Sequence, residues 1–264
     1  MMSPKLRYLS LQHFTTKLKG PYRLKDNFKF HIVGVGRGGT SLLAGLLDYH
    51  SGLKVGFELY AVDYLMGKKL PCQGSKLFHK RVKAYLHACN KEAKHSPHVL
   101  WGNKITTEQV FGLEDHNLGN PGARIDVLDT FFNTYLKGNA IIFILRDGRT
   151  CINSKVQRTG QPIEKACERW QYSVKCYKFF KTCHENNICV RFEDLLLHPR
   201  TALINICNFL KVPYQEEMLK GTMNKMVPPE YQQNKFDVSK TQSIDIPDYC
   251  LSRIEDDLKY CGYL

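Results

Sequence analysis

Six consecutive apolar residues, Ala140 to Leu145, run straight into Arg146-Asp147-Gly148-Arg149. An unbroken apolar run of that length suits a strand buried on both faces, as in a parallel sheet covered by helices. The rest of the chain answers that demand. A strand at Phe28 to Val33 leads through a glycine-rich turn into a helix from Thr40 to Tyr49, whose Leu42, Leu43, Leu46 and Leu47 form one apolar stripe. Strands near Lys54 to Phe57, His98 to Trp101 and Ile188 to Phe192 alternate with helical patterns over Lys76 to Glu92, Arg124 to Leu136, Pro162 to His184 and Pro199 to Leu210. A last helix carries Leu251, Ile254, Leu258 and Cys261 on one face. This alternation predicts a single α/β domain over 28–264, a parallel β-sheet flanked by helices, after an N-terminal extension, 1–27. Gly221 to Ile246 reads as a loop with one short helix.

Composition bounds the function. At 264 residues, with 43% hydrophobic and 11% aromatic residues, the chain can fill one core of ordinary size. No run approaches the roughly 18–20 apolar residues that span a bilayer, and the basic N-terminus has no signal-peptide block, so the expectation is a cytoplasmic protein without a transmembrane segment. The ten cysteines include no Cys-x-x-Cys pair; Cys167, Cys176 and Cys207 fall at core positions of helical patterns, as free buried thiols do. Cysteines and histidines do not gather at ligand spacing, so no metal is expected. The net charge of +13 favours anionic partners. Because the basic residues are spread along the chain, one anion-binding cleft is expected rather than a nucleic-acid arm.

Two places could bind anions. The first is Gly34-Val35-Gly36-Arg37-Gly38-Gly39-Thr40-Ser41. A turn between strand and helix aims backbone N–H groups and the helix dipole at an anion. The spacing is that of a P-loop, but Thr40 stands where the lysine of a nucleoside-triphosphate site belongs, which weakens a kinase or NTPase reading. Gly34, Gly36 and Gly39 also fit a dinucleotide fingerprint, with Glu58 as the acidic residue ~20 positions on. The second place is the end of the 140–145 strand. Arg146 would stand at the carboxyl edge of the sheet, where ligands bind in parallel α/β folds, and its fork suits phosphate. On a following helix Ser154 and Arg158 would share a face. For any one arginine, pairing of Arg146 or Arg149 with Asp147 is the plainer account. Two separated anion sites on one sheet nevertheless suit a nucleotide with phosphates at both its 5′ and 3′ positions.

With these motifs the sequence resembles the sulfotransferases that use 3′-phosphoadenosine 5′-phosphosulfate (PAPS), and among them the tyrosylprotein sulfotransferase branch. Gly34 to Leu42 is similar to a 5′-phosphosulfate loop of the form Gly-Val-Pro-Arg-Ser-Gly-Thr-Thr-Leu. Leu47-Asp48-Tyr49-His50, Gly56-Phe57-Glu58 and Asn103-Lys104 follow in order. Arg146-Asp147-Gly148-Arg149 with Ser154 and Arg158 resembles a 3′-phosphate site. Phe192 to Pro199 resembles a Tyr-Glu-x-Leu-x-x-His-Pro segment, and Cys261-Gly262-Tyr263 a Leu-Gly-Tyr ending.

The resemblance implies a sulfotransferase domain over 28–264 that moves a sulfuryl group from PAPS to an acceptor hydroxyl, leaves 3′-phosphoadenosine 5′-phosphate (PAP), and needs no metal. It implies Glu58 as general base, and Arg37 and Lys104 as cations that stabilise developing charge. Gly38, Gly39, Thr40 and Ser41 would cradle the 5′ phosphosulfate; Arg146, Ser154 and Arg158 would hold the 3′-phosphate; Lys240 matches a late lysine near the cofactor. The acceptor stays open among protein tyrosine, carbohydrate and small alcohol or phenol, reached through the segments Tyr60 to Ser75 and Gly221 to Ile246. Gly36 and Gly38 replace the loop's proline and serine, and Phe192 its tyrosine. Tyr60 replaces a basic residue that contacts acidic peptides. Val55 and Gly102 stand where the family has a disulfide. The rivals are a kinase or NTPase, a degenerate PAPS-binding protein, and a non-catalytic nucleotide- or polyanion-binding module.

Overall fold

The computed structural model describes residues 24–70, 77–227, 232 and 235–264. Most of the expected N-terminal extension, and residues 71–75 of the first acceptor-facing segment, lie outside them. Five strands form one parallel sheet: β1 Phe28–Gly34, β2 Leu53–Phe57, β3 Leu100–Thr106, β4 Ala140–Leu145 and β5 Asn187–Arg191, in the spatial order β2-β3-β1-β4-β5. Strand β4 shows why an unbroken apolar run was needed. Ile141, Phe143 and Leu145 enter the core on one face while Ile142 and Ile144 enter the core on the other, because successive side chains of a strand point to opposite sides.

Helices close both faces. On one lie α1 Thr40–Asp48 and α7 Pro199–Leu210; on the other lie α2 Leu77–Lys94, α5 Ile163–Thr182 and α8 Asp248–Cys261. Three shorter or bridging helices bear on the site: α3 Thr107–Phe111, α4 Gly148–Thr159 and α6 Phe192–Leu197. Cys167, Cys176 and Cys207 are buried free thiols, as expected. No helix among the described residues is long and apolar enough to cross a membrane.

Three expectations need correction. Strand β3 begins at Leu100 and runs to Thr106 rather than lying over 98–101, so Asn103 and Lys104 sit inside the sheet. Its polar residues hid it from a search for apolar runs. The helix expected from Arg124 starts only at Val127, and Asp129–Tyr135 is wound wider, as a π-helix, with Leu136 N–H donating to Phe131 O five residues back. Phe192 ends no strand; it starts α6.

The missing disulfide also has a structural counterpart. Val55 and Gly102 are direct partners in the β2–β3 pairing, so cysteines there would bridge neighbouring strands. In this chain the Phe30 ring fills the space: a Cβ on Gly102 would lie 2.3 Å from Phe30 Cε2.

Candidate active site

The carboxyl ends of β1 and β4 lie side by side, with Gly34 paired to Ile144. The loop after β1 turns sharply, with Arg37 at φ 75° and Gly39 at φ 93°. A Cβ on Gly39 would lie 2.2 Å from the Phe192 ring, so glycine is required both for φ and for space. The Gly38 N–H is spent within the turn, donating to Val35 O at 2.8 Å. The N–H groups that the start of α1 turns outward are those of Thr40 and Ser41, which no earlier helical turn can satisfy.

Arg146 ties this loop to the rest of the cleft. It donates to Arg37 O at 2.9 Å and to Lys240 O at 3.3 Å, and its guanidinium lies 4.4 Å over the Phe192 ring. Phenylalanine in place of tyrosine therefore keeps a cation–π partner for Arg146 and loses only the hydroxyl. Its Nε–H is buried without a protein partner. The plain ion pair anticipated for these arginines is made by Arg149 alone, which grips Asp147 at 2.7 Å and donates to Tyr263 O. Tyr263 in turn donates its hydroxyl to Glu193, whose other oxygen accepts the Asp147 N–H. The Gly-Tyr ending thus braces the turn that carries Arg146.

These groups border a cleft of about 400 Å³. Its walls include Arg37, Gly39, Thr40 and Ser41 from the loop and α1, Arg146 and Phe192 from the sheet edge, and Asn153, Ser154 and Gln157 from α4. Residues 235–244 supply the remaining wall, with Lys235, Ser239, Lys240 and Gln242. Described residues of the 221–246 segment therefore line this cleft, and Lys240, matched to a late lysine near the cofactor, is one of them. Lys240 apart, sequence reasoning had no signal for them, since they form no apolar period. Arg158 is exposed in the last turn of α4, outside this wall. Arg37 donates from Nε to Ser154 Oγ at 3.2 Å, so its side chain joins the loop to α4 rather than turning to Lys104. The residues suit PAPS: a basic cleft, a turn with outward N–H groups and an orphaned guanidinium N–H are what a doubly phosphorylated nucleotide would satisfy.

Glu58 and Lys104 stand apart from that cleft, at the ends of β2 and β3. Glu58 adopts φ 58°, a sparsely populated conformation for a side-chain-bearing residue. Its N–H donates to Lys104 O at 2.8 Å. Lys104 is buried and forms an ion pair with Glu58 Oε1. Gln109 on α3 donates to Glu58 Oε2 at 2.5 Å while accepting the Thr106 N–H at 2.8 Å. The second bond fixes which way the amide points. No sequence pattern announced Gln109; only the fold sets it beside Glu58.

A buried polar chain holds the turn after Glu58. Asn103 donates to Leu59 O at 3.0 Å and to Tyr85 Oη at 2.9 Å, and accepts the Leu59 N–H. Tyr85 meets His31 Nε2 at 3.0 Å, and His31 Nδ1 meets Asn139 Oδ1 at 2.7 Å. Burial, against the Asn139 contact, pushes His31 down to about 4. A Cβ on Gly56 would lie 2.7 Å from Asn103 Oδ1, so glycine there protects the same network. Tyr60 turns its hydroxyl to Glu92 at 2.5 Å, a contact that, with burial, pushes it up to about 12.

Comparison with known proteins gives one consistent answer. A sulfotransferase family model matches residues 134–216, which hold the Arg146, Ser154 and Arg158 motif. A protein-tyrosine sulfotransferase of Drosophila melanogaster is 24% identical over 206 residues, 71% of this chain and 39% of that protein. Protein-tyrosine sulfotransferase A of Caenorhabditis elegans is 24% identical over 204 residues, 71% of this chain and 51% of that protein. The chain thus spans about half or less of these relatives' length. The sulfotransferase domain of the Synechococcus PCC 7002 olefin synthase superposes with TM-score 0.63 at 18% identity, covering 93% of this chain and 99% of that one. A mouse sulfotransferase complexed with PAP superposes with TM-score 0.50 at 10% identity, covering 90% of this chain and 85% of that one. The fold is that of the sulfotransferases.

Proposed function

We propose that this chain, sulfotransferase-like in its fold and in its matched segment, transfers the sulfuryl group of PAPS to an acceptor hydroxyl. The observation that carries the reading is Arg146: it ties the loop after β1 to the 235–244 wall and keeps one buried N–H for a ligand. PAPS supplies the sulfuryl group when bound. Thr40 and Ser41 would offer backbone N–H groups to its 5′ end, and Arg146 and Ser154 would hold its 3′-phosphate. Glu58 takes the proton of the acceptor hydroxyl as that oxygen bonds sulfur and the bond from sulfur to the leaving phosphate breaks. Lys104, buried and paired with Glu58, would offer positive charge to the transferring group.

A tyrosyl hydroxyl is the acceptor to try first, because both curated relatives carry that activity in their names. Acidic peptides would draw on the net charge of +13 rather than on position 60, where Tyr60 is engaged with Glu92. Calorimetric titration with PAP tests the nucleotide site. Binding that collapses in Arg146→Ala supports the reading, and transfer of labelled sulfate from PAPS to a tyrosyl peptide completes it. A folded wild-type protein that ignores PAP would refute it.

A further inference from the structure

The chemistry above leaves one buried ion pair unused, under the nucleotide loop. Glu108 on α3 and Lys155 on α4 meet side chain to side chain, only 15% and 10% exposed. Glu108 also accepts the Gly36 N–H on both oxygens, at 3.2 and 3.0 Å. A carboxylate is an unfavourable neighbour for a loop that holds anions, since like charges repel most where water is scarce. Lys155 offsets that charge, which leaves the carboxylate's contact with the Gly36 N–H to be explained.

Gly36 occupies the position that is proline in the resembled loop pattern. Proline fixes φ near about −65° and has no N–H; glycine has the widest backbone freedom and retains the donor. We propose that Glu108, held by Lys155, clamps the nucleotide loop by accepting the Gly36 N–H, and so supplies through a hydrogen bond the rigidity that a proline ring supplies in the related loops. The clamp rests on the nucleotide reading of the cleft.

The surroundings agree with it. A Cβ on Gly36 would lie 3.0 Å from Glu108 Oε1 and 3.4 Å from Lys155 Nζ, so the clamp already fills the space a side chain would need. Lys155 faces Glu108 from α3, Arg169 from α5 and Arg37 from the loop. Burial first, then the two guanidiniums, push Lys155 down to about 8. The ammonium cancels the carboxylate's charge, so the clamp adds none to the site. Acid and base are thus needed together.

PAP titration of three variants separates a clamp from simple charge. Glu108→Leu with Lys155→Met removes both charges at once and leaves no buried ion alone. It should bind PAP about tenfold more weakly, the loss of one charge-assisted hydrogen bond. Glu108→Gln with Lys155→Met keeps an oxygen for Gly36 and should stay within about threefold of wild type. Adding Gly36→Pro to the Leu/Met pair should recover most of the lost affinity. Undiminished binding by the Leu/Met variant would overturn the clamp. Amide exchange at Gly36 in the wild-type protein decides the same point without any variant: a protected amide supports the clamp, and exchange as fast as that of an open loop overturns it. Wild-type protein that fails to bind PAP would instead overturn the nucleotide reading, and the exchange result would still judge the clamp.

Discussion

The two halves of the site are built differently. On the proposed nucleotide side, Arg146 and Arg37 hold backbone carbonyls and a hydroxyl, and one guanidinium N–H is buried without a protein partner. On the acceptor side, Glu58 and Lys104 are paired with each other, and Gln109 completes the shell. The first half is a cation-rich cleft awaiting charge; the second is a neutral pair whose carboxylate is about one-third exposed. Binding and proton transfer should therefore fail separately when mutated.

The sharpest break is Glu58→Gln. Turnover should fall by about 10²–10⁴, the usual worth of a general base, while PAP affinity stays within about twofold. Comparable losses in both quantities would show that the halves are not independent. Arg146→Lys should do the converse, weakening PAP binding about 100-fold, because one ammonium cannot span two carbonyls and a phosphate. Calorimetry reads that loss directly.

A third test uses pH to act on the buried chain that holds the turn after Glu58. His31 titrates near 4 when folded and near the usual 6.5 when unfolded, so between those values the unfolded chain holds the extra proton. Its contribution is complete above pH 6.5 and drains away as pH falls towards 4, by up to about 3 kcal/mol. Urea unfolding across that window should show the loss, and His31→Gln, which cannot titrate, should reduce it, with His79, His87 and His184, also shifted down by burial, supplying the remainder. An unchanged slope in the variant would place the titration elsewhere. The smallest effect is expected of Gln109→Leu, about tenfold in turnover with PAP affinity kept. A matching drop in PAP affinity would make Gln109 merely structural.

Much of this was legible beforehand. The apolar run of β4, the stripe of α1 and the proline opening α7 each follow from a local period or a fixed φ. The loop glycines and Arg146 could be placed because their positions relative to strand ends follow from the same periods. Strand β3 was mistimed because its Asn103 and Lys104 are polar residues buried by pairing, and hydrophobic patterning cannot see them. Lys240 apart, the 235–244 wall went unread because irregular backbone carries no period at all.

The sequence by itself determined the parallel sheet, the phosphate-loop turn and the order of the anion-binding motifs, since all of these are written in spacings of a few residues. Only the tertiary structure decided that Arg37 turns to Ser154, that Gln109 meets Glu58 and that Glu108 and Lys155 close beneath Gly36. Those partners lie 117, 51 and 47 residues apart in the chain. Contacts at such separations depend on how helices settle on a sheet, and no local rule encodes that.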